Sequence, residues 1–182
     1  MEISVRSKHR PIHLYASEHY YFLTLRAINH IHYFNSVEKK KVIVKVIKKS
    51  AEKFQIKIFA WVVLDNHIHL LFLSPEKLNL PDFITNMTSN ISRGVNVLDG
   101  KVGRRVFNNY WDYCIRDERD FFSHLNYIHH NPVKHKYVKT QEDCRDYEFC
   151  SYGDWLLKKG EEWMADCFEK FPIVDFTVDG DE

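Results

Sequence analysis

Along this chain the apolar positions switch between strand and helix spacing. Tyr20 to Ala27, YYFLTLRA, is rich in aromatic and β-branched residues and reads as a strand. Ser36 is then a suitable N-cap, and Ile43, Ile47, Ala51 and Phe54 recur at helical spacing over about 17 residues, with Lys40, Lys41, Lys45, Lys48 and Lys49 supplying the wet side. Two β-type runs follow, IKIFAWVVL (56–64) and HIHLLFL (67–73), separated only by Asp65-Asn66, which predicts a tight hairpin. A second helical pattern opens near Pro81, where proline suits a first turn; Ile84, Met87, Ile91 and Val95 form its buried stripe, and Asn86, Ser89, Asn90 and Arg93 its polar side. Arg104-Arg105 leads into VFNNYWDYCI, read as a fourth strand. Asp117 can cap a last helix, 117–131, with Phe121, Leu125 and Ile128 as its stripe, and Pro132 is expected to stop it.

The order strand, helix, strand, strand, helix, strand, helix predicts an α+β fold. Its core is a ferredoxin-like βαββαβ antiparallel sheet with two helices on one face, the other face free for a site, and an added C-terminal helix. At 45% apolar and 15% aromatic residues, the 182-residue chain has ample material for a core. No run of 18 or more apolar residues occurs, and Met1 to Arg10 is polar and charged, so neither a membrane span nor a signal peptide is expected and the protein is read as cytoplasmic. Cys114, Cys144, Cys150 and Cys167 have no metal-knuckle spacing and are expected as reduced thiols.

Net charge changes the picture more than composition does. The overall value is +1, yet residues 1–140 carry 22 basic and 12 acidic side chains, while residues 141–182 carry 4 basic and 13 acidic ones, giving +10 and −9. A basic body suits a polyanion such as nucleic acid, and an acidic end can compete for the same surface. The division expected is one domain over 1–157 and an acidic C-terminal extension over 158–182.

One tetrapeptide occurs twice, as Asn29-His30-Ile31-His32 and Asn66-His67-Ile68-His69. In the second copy the histidines lie inside a predicted strand, so both rings point to one side while Ile68, Leu70 and Phe72 point to the other. Such rings can share a divalent ion. The first copy falls between a strand and a helix cap, where nothing fixes its rings, and His30 and His32 read as loop histidines. Two histidines do not complete a site, and the chain has neither HExxH nor a cysteine set. Tyr127 and Asn131, four residues apart on the last helix, share a face, with His124 and His130 near the same surface. Two histidines, an amide oxygen and a phenol make chemical sense for phosphoryl transfer with tyrosine as nucleophile.

These residues resemble a known family. AWVVLDNHIHLLF (60–72), NNYWDYCIRDERDFFSHLNYIHHNPVKHKYV (108–138) and, more weakly, CSYGDWL (150–156) look like the REP-associated tyrosine transposases, of the HUH single-strand DNA endonucleases. The resemblance implies that the C-terminal helix carries a nucleophilic Tyr127. It also implies that His67, His69 and Asn131 hold Mg²⁺ or Mn²⁺, with His130 as the substitute for Asn131. The substrate implied is single-stranded or hairpin DNA, cut and rejoined through a 5′-phosphotyrosine, in a monomer or homodimer. Asn86, Asn90, Arg93, Arg104 and Arg105 are the expected DNA contacts. The family's usual PNH stands here as Asp65-Asn66-His67, and Lys136 replaces a common glycine after the tyrosine helix. The rival reading is a protein of this descent that binds hairpins without cutting them.

Overall fold

A computed structural model describes residues 18–77 and 79–176. The polar stretch Met1 to Arg10 and the last six residues of the acidic extension lie outside the described residues. Strand β1 (Tyr20–Ala27) is followed by α1 (Val37–Lys53), the hairpin β2 (Lys57–Val63) and β3 (His67–Leu73), α2 (Leu80–Leu98), β4 (Phe107–Cys114) and α3 (Glu118–Lys134). Two shorter helices, α4 (Tyr152–Lys159) and α5 (Glu161–Lys170), come last. The sheet is antiparallel throughout, in the order β2-β3-β1-β4, which is the ferredoxin-like arrangement the element order predicts.

Capping behaves as the residue types dictate. The Ser36 hydroxyl accepts from the Lys39 amide, the Asn79 side chain from the Asp82 amide ahead of Pro81, and the Asp117 carboxylate from the Asp120 amide. Helices α1 and α2 pack side by side on one face. Ile43, Ile47, Met87, Ile91 and Val95 from these helices meet Leu23, Leu25, Ile68, Leu70 and Phe72 from the sheet in one core. Gly94 allows the close approach: a Cβ there would lie 2.5 Å from Val42 Cγ1.

The opposite face departs from expectation, because it is covered. Helix α3 lies across it, and Phe22, Ala60, Val62, Leu64 and Leu71 from the sheet join Leu125, Tyr127 and Ile128 in a second core. Met164, Cys167 and Phe171 close that core from outside, while the Asn126 amide donates to the Cys167 and Phe171 carbonyls at 2.9 and 2.8 Å. The tyrosine helix is therefore buried on both sides. An amphipathic pattern with one apolar stripe gave no sign of this, since the second layer is bonded to α3 partly through Asn126.

Pro132 does not stop α3, which continues to Lys134. Proline removes one amide donor, but here only the last turn is affected, and bonds from His135 N to Asn131 O (3.0 Å) and from Tyr137 N to Pro132 O (2.8 Å) carry the chain onward. Burial of Asn131 and Pro132 outweighs the bias against helical geometry in the residue before proline. All four cysteines are free thiols. Among the described residues, no helix is long and apolar enough to cross a membrane.

Candidate active site

Alternation along β3 places His67 and His69 on the α3 side of the sheet, opposite Arg26 and Thr24 of β1. Their rings stand 5.0 Å apart between centroids, and the Tyr127 ring lies 5.3 Å from that of His69. Each ring is held at Nδ1. His69 Nδ1 is 2.9 Å from Thr24 Oγ1, and His67 Nδ1 is 2.6 Å from Asn66 Oδ1. An amide oxygen only accepts, so the His67 proton sits on Nδ1 and its Nε2 keeps a lone pair for a ligand.

His69 is 2% exposed and Asn131 fully buried, yet His69 Nε2 and Asn131 Oδ1 have no hydrogen-bond partner. Leaving such atoms unpaired costs about 1–3 kcal/mol each, which marks both as groups that a bound cation could satisfy. Burial lowers the His67 pKa to about 3, against a small opposing pull from Asn131 beside it, and lowers that of His69 well below its ordinary value. Both imidazoles are thus neutral, the form in which histidine ligates a metal. Among the described residues no group of three or more His, Cys, Asp or Glu side chains is gathered as a metal cluster. His130, the alternative, is turned away: its Nδ1 lies 2.9 Å from Gln141 Oε1. Two neutral nitrogens and one amide oxygen fit a small divalent cation.

The turn carrying His67 is fastened from below. Lys40, 6% exposed on α1, sets its ammonium 2.7 Å from Asp65 Oδ1, donates to the Tyr147 hydroxyl at 3.0 Å, and lies 4.5 Å from the centre of the Tyr137 ring. Tyr147 donates in turn to the Val63 carbonyl, and the Asp65 amide donates to the Tyr137 hydroxyl. The first NHIH copy enters here too. The Asn66 amide donates to the His30 carbonyl at 3.3 Å, and His30 and His32 line the same cleft as His67. That copy sits in a 3-10 turn, Ile28–His30, whose Asn29 and His30 have φ of 53° and 56°.

Above the site lies the chain that follows α5. Phe176 stacks on His124 with centroids 3.8 Å apart and meets the Tyr127 ring edge-on at 5.4 Å. Tyr127 is 3% exposed. Lys134 places its ammonium 5.4 Å from the Tyr127 ring centre and pairs with Asp175 at 2.9 Å. His124 is buried, with Nδ1 2.8 Å from the Asp120 carbonyl, and so sits beside the site without facing the histidine pair.

The five expected DNA contacts divide. Arg93 and Arg105 are exposed along one cleft, whereas the Arg104 guanidinium is bound to Asn96 (2.8 Å) and Asp99 and rests 4.3 Å over Tyr33. Asn86 faces Ser50 of α1, and Asn90 donates to the Asn86 carbonyl. Thr24, Asn66, His135 and Phe176 escaped sequence reading. For Thr24 and Asn66 a signal existed: one is a polar residue within an apolar strand, the other the neighbour of a candidate ligand histidine.

The sequence and the fold have counterparts. The family model "Transposase IS200 like" matches residues 15–141. A REP-associated tyrosine transposase of Escherichia coli is 32% identical over 87 residues, 47% of this chain and 50% of its own length. A relative from Haemophilus influenzae named for the same group is 29% identical over 109 residues, 53% of this chain and 60% of that one. The match thus spans half to three-fifths of these relatives. A solved REP-associated tyrosine transposase bound to a REP hairpin superposes with a TM-score of 0.68 over 96% of both chains, at 21% identity, and shares the fold. With most of its length inside the family model, the chain belongs to the IS200-like transposases.

Proposed function

We propose that this protein cleaves and rejoins single-stranded, hairpin-associated DNA through a covalent 5′-phosphotyrosine at Tyr127. The observation that carries this reading is the buried, unpartnered His69 Nε2, whose ring stands 5.3 Å from the Tyr127 ring, together with the unpartnered, buried Oδ1 of Asn131 one helical turn past that tyrosine. A divalent ion, Mg²⁺ or Mn²⁺, held by His67, His69 and Asn131, supplies polarisation of the scissile phosphate and offsets charge on its oxygens. Tyr127 Oη attacks phosphorus; the new O–P bond forms as the P–O3′ bond breaks, the phenolic proton leaves Oη, and the departing 3′ oxygen keeps the electron pair and gains a proton. Attack by that 3′-hydroxyl, or another, reverses the step and rejoins DNA. Burial of the site excludes water that would hydrolyse the phosphotyrosine.

Net charge of +10 over residues 1–140 supports a polyanionic partner, and the hairpin bound to the structural neighbour suggests its form. Exposed Arg93 and Arg105 are the proposed phosphate contacts; Asn86, Asn90 and Arg104 are better placed to hold that surface in shape. One observation favours the rival reading, a hairpin-binding protein that does not cut: Tyr127 lies beneath Phe176. The two separate on a denaturing gel after incubation of labelled single-stranded hairpins with Mn²⁺. A protein-DNA adduct from the wild type, absent in Tyr127→Phe, is expected; no adduct across a broad hairpin set leaves only binding, and an adduct surviving Tyr127→Phe assigns the wrong nucleophile.

A further inference from the structure

The first NHIH copy has no part in the chemistry above, yet the fold brings it to the edge of that site. A cleft of about 250 Å³ is lined by Arg26, His30, His32, Asn66, His67 and His135, with Leu64 and Tyr137 at its floor. Among the described residues no carboxylate lines it. His67 forms one wall, with the His135 ring 4.8 Å away, so whatever fills the cleft lies directly beside the proposed ion site.

The segment is built to present these rings rather than left loose. Ile28 N bonds Val106 O at 2.8 Å and Ala27 N bonds Asn66 O at 2.7 Å, fixing the chain as it leaves β1. Asn29 and His30 then adopt left-handed backbone, a conformation that costs a non-glycine residue about 1–3 kcal/mol and persists only where its surroundings enforce it. Here the Asn66 amide holds the His30 carbonyl. The same Asn66 orients His67 through its other side-chain atom, so the two NHIH copies are joined through one amide.

We propose that this cleft binds a phosphodiester of the DNA strand adjacent to the scissile one, with His30 and His32 as its principal donors. The inference rests on the proposed function, since it takes the scissile phosphate to lie at His67, His69 and Asn131. Cationic and N–H donors with no carboxylate suit a phosphate oxygen, and the volume suits one phosphodiester with part of its sugar rather than a duplex. A strand whose scissile phosphate sits at the histidine pair extends by one linkage along the His67 wall and meets this cleft. The contact is to the backbone and therefore reads no base; it sets where along the strand the tyrosine cuts.

The test uses binding, so that it stands apart from cleavage. In the Tyr127→Phe background, full-length protein is titrated by fluorescence anisotropy against hairpins carrying a neutral methylphosphonate at one position at a time along the single-stranded segment. One position beside the cleavage point should weaken binding about tenfold, as loss of one charge-assisted hydrogen bond does. In His30→Ala/His32→Ala, native DNA should bind about tenfold more weakly and that methylphosphonate should cost almost nothing further. Both rings are exposed, so folding and Mn²⁺ affinity should be unchanged. Equal methylphosphonate profiles with and without the two histidines overturn the proposal. Loss of Mn²⁺ from the double variant also overturns it, by making the first copy a metal ligand. Failure of wild type to form an adduct, with the phosphate effect intact, defeats the cleavage reading and leaves this site standing.

Discussion

The two NHIH segments share four residues and almost nothing else. At 66–69 the tetrapeptide begins a strand paired on both sides, its histidine rings are fixed at Nδ1 by Thr24 and Asn66, and His69 is 2% exposed. At 29–32 it occupies a 3-10 turn with left-handed residues, and both rings are exposed. Alternation makes two rings converge only on a strand, and burial keeps them neutral only beneath a second layer. The difference shows that the convergence of two buried rings here comes from backbone period and depth. The contact between the copies shows that the exposed one still serves the buried one, through the His30 carbonyl.

The comparison breaks most directly at the rings themselves. His69→Ala should abolish specific Mn²⁺ binding, a larger loss than the ~10–100-fold typical of outer-shell partners, whereas His30→Ala should leave it unchanged. Isothermal titration with Mn²⁺ checks both, and equal losses would place a metal ligand in each copy. Next in size is the anchor under the turn. Lys40→Met leaves Asp65 without its buried partner and should cost about 3 kcal/mol of unfolding free energy, read from urea melts. Among the described residues no ion pair of this kind fastens the exposed copy, so His32→Ala should leave the same melt unmoved. An unchanged midpoint in Lys40→Met would mean that the hairpin holds its turn without the ion pair.

A finer cut falls on Asn66, the residue that belongs to both regions. Asn66→Ala removes the acceptor of the His67 Nδ1 proton and the donor to the His30 carbonyl together. Mn²⁺ affinity should fall about tenfold, as for other outer-shell partners. Asn66→Asp keeps the acceptor but not the donor, so it should keep Mn²⁺ affinity while loosening the first copy. Loss of metal in Asn66→Asp would make the link to His30, rather than the proton on Nδ1, the feature that matters.

Much of this was legible from residue order. The sheet, its two covering helices, the hairpin and the facing of His67 and His69 follow from period and turn chemistry, which are local properties. The site's environment was not. That α3 is buried on both sides depends on Asn126 reaching the carbonyls of Cys167 and Phe171, more than 40 residues away, and no local pattern encodes such a contact. Pro132 misled for a related reason: its local penalty is real, but tertiary burial of the last turn exceeds it. Arg104 looked like a DNA contact because charge is visible in a sequence, whereas its partners Asn96, Asp99 and Tyr33 become visible only once α2 and the following turn are folded.

The smallest expected effect concerns cover, which also separates the two copies. Phe176 packs on His124 and Tyr127 above the buried copy, while among the described residues no such lid of aromatic rings covers the exposed His30 and His32. Phe176 is one of the rings that bury Tyr127. An aromatic pair contributes about 1 kcal/mol beyond its buried area, so Phe176→Ala should raise the uncovered population, and the initial rate of adduct formation, about fivefold. Truncation should be made after Phe171, because Met164, Cys167 and Phe171 belong to the core and their loss would damage α3. That truncation also removes the Asp175 carboxylate from Lys134. The rate should therefore rise at least as far as in Phe176→Ala, while methylphosphonate sensitivity at the His30 and His32 cleft stays the same. A rate that falls in both variants would mean that the segment helps to build the site of the buried copy instead of covering it.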